Sequence, residues 1–287
     1  MSKLEDNLLH IHSPCGFWGD QMLFLFSAYY HMESQKKDGV IIHTGKDLWN
    51  THAGIYSPAQ KNIFHFWSCF DFVKGIIFDM NQRGLNQDAE KSLYNVFSLL
   101  NHYYEDDEYK LDISKKINFN LFPSRFENTY TKKIAVFQPV SLANKPEQFK
   151  QDFICKLSET IKTVAEKGYT IIAIGSASDR EYYEALYCDA PYRHKIVELF
   201  DSINMFQAID LVMNHAELVV SCCSWSGWYG IASRTKTVMT LGPLMEKGKP
   251  DEKYVNLMKN KDIFFMDYSS KKEQTDLSIS NWIANNV

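Results

Sequence analysis

With 287 residues, 45% of them hydrophobic and 14% aromatic, the chain is long enough to bury one large core or two ordinary ones, and two domains are the first expectation. Its formal net charge of −4 excludes a general attraction to polyanions, so nucleic-acid binding would need a local basic patch. No apolar run is long enough to span a bilayer and no secretory signal is recognisable, which predicts a cytoplasmic protein with no transmembrane segment.

Three short apolar runs predict strands in the first half of the chain: "LLHIHS", "GVIIHT" and "FVKGIIF". A glycine-bearing loop follows the first run and leads into the amphipathic helix "QMLFLFSAYYHM". The aromatic-rich stretch "EKSLYNVFSLLNHYY" also has helical spacing. These elements fit an α/β unit, which we assign to residues 1–130.

Strand and helix patterns alternate after residue 132. The runs "KKIAVFQPV", "YTIIAIGS", "IVELF", "AELVVSC" and "KTVMTLGP" predict strands, and stretches with helical spacing separate them. Because parallel strands need such crossovers, residues 131–287 are predicted to form a Rossmann-like domain. The boundary is expected within residues 122–133, where turn formers and charges replace periodic apolar positions.

The predicted fold class is therefore α/β, with two Rossmann-like domains facing a cleft. In such folds the ligand lies outside the carboxyl ends of the strands, which places it in the cleft. The last helix, around "DLSISNWIANNV", is predicted to pack back on the N-terminal domain, because it has apolar residues at helical spacing.

The first loop places Asp20 at the start of a helix, directly after Gly19. An aspartate in this position is often a cap that accepts backbone N–H bonds. The alternative is a general base that faces the cleft and takes the proton of an acceptor hydroxyl. His12, Trp18 and Gly19 are the other candidates for lining this loop.

Two loops of the second half contain candidates for holding a nucleotide. In "QPVSLANKPEQF", Ser141 and Lys145 precede a predicted helix start, so Lys145 is either solvated or a phosphate contact. In "GSASDREYYEA", Gly175 ends a strand and Asp179 or Glu181 opens a helix. Either acid could be an ordinary helix cap or a hydrogen-bond acceptor for a ribose hydroxyl.

The loop "SCCSWSGWYG" leads from a predicted buried strand directly into a helix. Ser224, Ser226 and Gly227 are candidates for presenting hydroxyls and backbone N–H groups to a diphosphate, and the alternative is an ordinary strand-to-helix turn. Trp225 and Trp228 could stack on a base or pack in the core.

No metal site is predicted. The six cysteines are scattered without a CxxC pair and are expected to be buried free thiols in a reducing compartment. The stretch "EDDE" at residues 105–108 extends a helical pattern, and we interpret it as a solvated charge run.

The motif order resembles the ADP-heptose:lipopolysaccharide heptosyltransferase family and its relatives of GT-B fold. The motifs are "GFWGD" before a helix near the amino end, "QPVSLANKP", "IIAIGSASDRE" and the stretch from "AIDLVMNH" to "MTLGP". The resemblance covers most of the second half and only the first loop of the first half. It implies that residues 131–287 form the nucleotide-sugar-binding domain and residues 1–130 the acceptor-side domain. It implies metal-independent sugar transfer from a nucleotide diphosphate donor, with Asp20 as the base, Lys145 on the donor phosphates and Asp179 or Glu181 near the ribose.

The last loop departs from the family pattern. That pattern has Asp-Ser/Thr-Gly followed by a histidine in the next helix, whereas this chain has Cys223-Ser224-Trp225 and then Trp228. The missing aspartate and histidine imply a divergent member that uses another sugar nucleotide, for which a UDP-sugar is one candidate.

We therefore predict an inverting, metal-independent glycosyltransferase with a nucleotide-sugar donor as substrate and no cofactor. Its acceptor is a saccharide or, alternatively, a modified DNA base, as in bacteriophage DNA glycosyltransferases. Two other classes stay open on the sequence alone. A sugar-nucleotide 2-epimerase-like enzyme would need no acceptor, and a non-catalytic nucleotide-sugar binding protein would make Asp20 dispensable.

Overall fold

The computed structural model describes residues 7–12, 24–25, 28–29, 31–33, 35–45, 65–79, 124–138, 157–177, 179–180, 183–184, 192–222, 224–241, 261–267 and 272–287. The chain is divided into two compact units, Met1–Phe122 and Pro123–Val287. We call them the N-terminal unit and the C-terminal unit.

The described part of the N-terminal unit contains a parallel sheet in the order β1-β2-β3. These strands span Leu8–His12, Gly39–Gly45 and Val73–Asp79, which confirms the three strands predicted from apolar runs. Because side chains alternate between the faces of a strand, the run "GVIIHT" presents one face to the core. On β2, Val40 and Ile42 are completely buried, whereas Ile41 and His43 are half-buried.

Helical segments bury aromatic side chains in the same unit. Residues 24–25, 28–29 and 31–33 are helical, as predicted for that stretch, and Phe24 there contacts Trp67 with ring centroids 6.1 Å apart. The predicted helix "EKSLYNVFSLLNHYY" lies outside the described residues.

The C-terminal unit contains a parallel sheet in the order β6-β5-β4-β7-β8-β9. This arrangement confirms the predicted α/β class with parallel sheets. The last strand was not among those predicted, because the short run "IFFMD" does not by itself distinguish a strand from a piece of helix. The strands are β4 (Ile134–Gln138), β5 (Thr170–Ala173), β6 (Ile196–Glu198), β7 (Ala216–Cys222), β8 (Lys236–Leu241) and β9 (Ile263–Asp267).

The helices of this unit include α1 (Ser158–Glu166), α2 (Met205–Asp210), α3 (Trp225–Ala232) and α4 (Lys272–Asn286), and Arg193–Lys195 form a 3-10 turn. Asn204 starts α2 with a capping box, in which its side chain accepts the N–H of Gln207 and the Gln207 side chain accepts the N–H of Asn204. The sequence predicts one continuous helix through "NMFQAIDLVMNH", but the structure changes to a π-helical turn at Leu211–His215.

The last helix packs within the C-terminal unit. Ile279 and Ile283 are completely buried in the cluster that also holds Ile161 of α1 and Val220 of β7, and Trp282 stacks on Phe264 of β9. The packing of this helix on the N-terminal domain stays a prediction. Leu277, the remaining apolar residue of the predicted pattern, is 54% exposed.

The segment 124–130 is attached to the C-terminal unit through Asp210. This buried carboxylate accepts hydrogen bonds from the backbone N–H of Phe126 at 2.9 Å and from Asn214 Nδ2 at 2.7 Å. His215 Nε2 lies 3.4 Å from the same group. This segment therefore belongs to the C-terminal unit, and the assignment of residues 1–130 and 131–287 to two domains stays a prediction.

Two further observations concern the expected class of protein. Across the parts of the chain that the structure describes, no helix has the length and apolar character needed to cross a membrane. Cys69 and Cys222 are buried free thiols, as expected for them, and burial raises the pKa of the Cys69 thiol.

Candidate functional site

The strand order of the C-terminal sheet reverses between β4 and β7. In doubly wound sheets, ligands bind outside the carboxyl ends of the strands at such a reversal. β4 ends at Gln138, whose Cα pairs with that of Ser221 near the end of β7, and α3 begins shortly afterwards. We therefore consider the carboxyl ends of β4 and β7 and the start of α3 as the candidate site.

Gln138 is the most informative residue at this point. Its side chain is deeply buried, since only 3% of the residue's surface is exposed, and its Oε1 has no hydrogen-bond partner within the described structure. The great majority of buried polar atoms in proteins are hydrogen-bonded, so an unpaired one needs an explanation. This residue was not among those predicted from the sequence, although a glutamine that closes the apolar strand "IAVFQ" was a usable signal.

The carboxyl end of β4 is held in place by Tyr183. The hydroxyl of this fully buried side chain lies 3.0 Å from the carbonyl oxygen of Phe137 and 2.6 Å from that of Ile174, and it shares its one proton between them. Since Ile174 directly follows β5, the contact fixes the ends of two neighbouring strands. The backbone beside Gln138 is thereby positioned.

The serine predicted to present a hydroxyl at residue 226 points instead toward the sheet. Ser226 is completely buried, and its Oγ lies 2.7 Å from Ser221 Oγ. Because Ser221 Oγ donates to the carbonyl of Cys222 at 2.7 Å, Ser226 is the donor in the serine pair. This side chain therefore helps to hold α3 against β7.

Ser224 occupies the N-cap position of α3 in an extended conformation, with φ −139° and ψ 174°, and its side chain makes no capping hydrogen bond. The N–H groups of a first helical turn have no partner within their helix. When the N-cap side chain does not accept hydrogen bonds from these N–H groups, they can bind an anion such as phosphate.

Glycines allow α3 to lie close to the strands. A Cβ at Gly227 would collide with Met239 Cε and come within 3.2 Å of Ser221 Cβ. A Cβ at Gly230 would come within 2.6 Å of Thr237 Oγ1. Close helix–strand packing is thus a sufficient reason for glycine at both positions, and the backbone of Gly227 still belongs to the first turn of α3.

The two tryptophans of this loop have different environments. Trp228 is 6% exposed and belongs to the core, which supports the packing alternative for this residue. Trp225 is half-buried and meets Tyr229 edge-on, with ring centroids 5.7 Å apart.

Complete burial raises the pKa of the Tyr229 hydroxyl, so this side chain is neutral at physiological pH.

The turn after β5 is organised by Asp179. Its Oδ2 accepts hydrogen bonds from the backbone N–H and the Oγ of Ser176, each at 2.8 Å. A Cβ at Gly175 would approach this oxygen to 3.0 Å, so glycine makes room for the carboxylate. The arrangement is that of a helix cap, the structural alternative for Asp179, and the side chain is only 5% exposed.

The structure brings Gly175, Asp179, Ser224, Ser226 and Gly227 to the carboxyl side of one sheet, whereas His12 ends β1 in the N-terminal unit. Among the side chains that the structure describes, no group of three or more His, Cys, Asp or Glu is placed to hold a metal ion. The other candidates lie outside the described residues, and their roles stay predictions: Trp18, Gly19, Asp20, Ser141, Lys145 and Glu181.

No protein-family model matches the sequence, and no curated protein matches it. Solved structures do match it over nearly the whole chain. A glycosyl transferase of family 9 from Veillonella parvula has a TM-score of 0.52 and 10% identity, covering 98% of both chains. The Escherichia coli heptosyltransferase WaaC, solved with ADP-2-deoxy-2-fluoro heptose, has a TM-score of 0.52 and 11% identity, covering 98% of this chain and 100% of the other.

At such low identity the likeness is one of fold. It confirms the predicted resemblance to the heptosyltransferase fold, reached from the sequence through four short motifs. The fold is thus shared at about one identical residue in ten.

Proposed function

We propose that the chain is a glycosyltransferase whose nucleoside-diphosphate sugar donor binds at the carboxyl ends of β4 and β7. The observation that carries this proposal is the buried Oε1 of Gln138 at the reversal of the strand order, which has no hydrogen-bond partner among the residues that the structure describes. The fold shared with two glycosyltransferases supports the reaction class.

The energetics of Gln138 favour a ligand. An unpaired buried acceptor costs about 1–3 kcal/mol relative to one that is hydrogen-bonded. A hydroxyl or amino group of the bound donor would remove this cost by donating to Oε1. The site would therefore discriminate in favour of ligands that place a hydrogen-bond donor there, because a ligand without one leaves the acceptor unpaired.

The diphosphate is proposed to bind beside Gln138, at the start of α3. There the N–H groups of the first turn and the hydroxyl of Ser224 can donate to phosphate oxygens. Lys145, in the loop after β4, is proposed to supply the positive charge. A lysine and helix starts together stabilise the charge that develops on the leaving diphosphate, so the proposed mechanism needs no metal ion.

The transfer step is proposed to be a single displacement. The acceptor oxygen attacks the anomeric carbon as its proton passes to the Asp20 carboxylate. The bond between the anomeric carbon and the diphosphate oxygen breaks, and its electron pair leaves with the nucleoside diphosphate. One displacement inverts the anomeric configuration.

A thermal-shift panel of nucleoside diphosphates and nucleotide sugars tests donor binding. A ligand at a hundred times its Kd stabilises the folded state by about 2.7 kcal/mol, which gives a clear shift in Tm. We expect one nucleoside diphosphate and its sugar derivatives to shift the Tm. No shift with any member of the panel would contradict the proposal.

Gln138→Leu separates a binding role from a structural one. The substitution removes a buried unpaired oxygen at similar volume, so we expect the ligand-free protein to be at least as stable as the wild type. We expect its affinity for the donor to fall by about tenfold, which corresponds to roughly 1.4 kcal/mol. A loss of stability with unchanged affinity would assign Gln138 to the core alone.

Lys145→Ala tests the phosphate contact, with the exposed Lys132→Ala as the matched control. Loss of a charge-assisted contact should weaken the donor and the free diphosphate equally, by about 1.5–3 kcal/mol. Calorimetry with and without EDTA measures both affinities. Unchanged affinity in Lys145→Ala, or binding abolished by the chelator, would show that the phosphates are held differently.

A further inference from the structure

The N-terminal sheet places histidines on neighbouring strands at their carboxyl ends. His10 and His12 are two residues apart on β1, and the Cα of His12 pairs with that of His43 on β2. Residues two apart on a strand share a face, and directly paired residues of neighbouring strands do so too. We propose that His10, His12 and His43 form a site for a divalent transition metal ion such as Zn²⁺.

The described imidazoles already converge. His10 Nδ1 lies 2.8 Å from His43 Nε2, and the ring centroids are 5.1 Å apart with the ring planes at 40°. Zinc binds imidazole nitrogen at about 2.0–2.1 Å, so two nitrogens on one tetrahedral ion are roughly 3.3 Å apart. To become two ligands of one ion, the nitrogens must separate by about half an ångström and both rings must turn so that their lone pairs converge on the ion. The proton between the two nitrogens must then move to the other nitrogen of its own ring.

This face of the sheet is accessible to an ion and its water. His10 is exposed, and Ile77, whose Cα pairs with that of His43 from the other side, is 45% exposed. The opposite face carries the core residues Val40 and Ile42, which have no exposed surface. The histidines therefore do not serve as packing for this core.

The donor set defines the class of ion. Imidazole suits Zn²⁺, Cu²⁺ and Ni²⁺, whereas Mg²⁺ and Ca²⁺ prefer oxygen ligands. Three histidines leave a fourth tetrahedral position for water. The side chain of His12 lies outside those described, so the described pair supplies two of the three ligands. The site belongs to the N-terminal unit.

The competing explanation is a hydrogen bond between two neutral imidazoles, which links β1 and β2 without a metal. One ring nitrogen would then donate and the other accept. A glutamine at position 43 retains hydrogen-bonding groups but is a poor ligand for zinc. His43→Gln therefore separates the two explanations, and His10→Gln and His12→Gln complete the set.

Calorimetric titration of the EDTA-treated and dialysed full-length chain with ZnCl₂ tests the proposal. We expect one ion per chain, with an affinity reduced at least tenfold in each of the three glutamine variants. His194→Gln, at an exposed position in the 3-10 turn of the C-terminal unit, is the matched control and should bind as the wild type does. Circular dichroism establishes that every variant is folded.

Cobalt substitution provides a second readout. Co²⁺ bound by imidazoles in a tetrahedral site absorbs in the visible range, and we expect this absorption in the wild type and His194→Gln but in none of the three variants. Absence of stoichiometric Zn²⁺ binding by the wild type would overturn the proposal. Binding that persists unchanged in any one of the three variants would overturn the assignment of the three ligands.

Discussion

The carboxylate of Asp276 on α4 accepts a hydrogen bond from the backbone N–H of Thr160 on α1, 116 residues away in the chain, at 2.9 Å. The N–H of Glu159 donates to the same carboxylate at 2.9 Å. The N-cap residue of α1 is Leu157, which has no side-chain acceptor. A residue of another helix thus provides the cap that the local sequence of α1 lacks.

Removal of this cap should destabilise the C-terminal unit. Asp276→Ala leaves the first N–H groups of α1 without their acceptor and should lower the free energy of unfolding by about 2–3 kcal/mol, while Asp276→Asn should be intermediate. Urea unfolding measures the change, and hydrogen exchange of the α1 amides locates it. Glu127→Ala, at an exposed position, is the control. Wild-type exchange of these amides in Asp276→Ala would contradict the capping role.

Alanine should be tolerated differently at the two glycines of α3. The nearest atom to a new Cβ at Gly227 is the flexible end of Met239, whereas at Gly230 it is Thr237 Oγ1, followed by the branched side chain of Val219 at 3.1 Å. We expect Gly230→Ala to cost about 1–3 kcal/mol and Gly227→Ala less. Urea unfolding of both variants decides this, and the reverse order would be inconsistent with these contacts.

Replacement of Asp20 by Asn distinguishes the base from the cap. If Asp20 is the base, turnover should fall by about a hundredfold or more while donor affinity and Tm stay near wild-type values. The assay is release of the nucleoside diphosphate from the sugar nucleotide identified in the thermal-shift panel. Asp71→Asn, at an exposed position, is the control. A parallel loss of Tm and turnover would instead support the cap.

Burial lowers the pKa of His31 below its ordinary value of 6.5, so the fold favours the neutral imidazole. The unfolded chain then binds a proton more readily than the folded chain. Stability should therefore fall as the pH drops below about 6.5 and level off once the pH is below the folded pKa. His31→Gln should weaken the dependence of the free energy of unfolding on pH just below 6.5, measured by urea unfolding at a series of pH values. An unchanged dependence in this variant would refute the assignment.

Much of the sheet architecture could be predicted because its strands are short apolar runs bounded by turn formers. The run "AELVVSC" matches β7 residue for residue, and "KTVMTLGP" contains β8. The π-helical turn could not be predicted in this way, since its hydrophobic pattern continues that of α2. Its last residues, Asn214 and His215, contact Asp210, and only the fold shows that this carboxylate is buried.

The candidate site was predicted at the level of loops rather than of side chains. The switch from strand to helix at "SCCSWSGWYG" is a local pattern, but the orientation of Ser226 toward Ser221 depends on how α3 lies on β7. We interpret Gly227 from the sequence as a phosphate ligand. Its close packing on Met239 could not be predicted, because β8 comes later in the chain and only the fold brings the two together. The unpaired oxygen of Gln138 could not be predicted, because the sequence does not show which hydrogen-bonding atoms surround this side chain in the fold.

The position of α4 has a consequence for how the chain is made. Its residues Ile279 and Ile283 complete the cluster that includes β4 and α1, so this core stays open to water until the ribosome has synthesised α4. β4 also pairs in parallel with β7, which is synthesised much later, so the apolar residues of β4 stay exposed until β7 has been made. The nascent C-terminal unit is therefore expected to present binding sites for chaperones through most of its synthesis, and to acquire its stability in one late step.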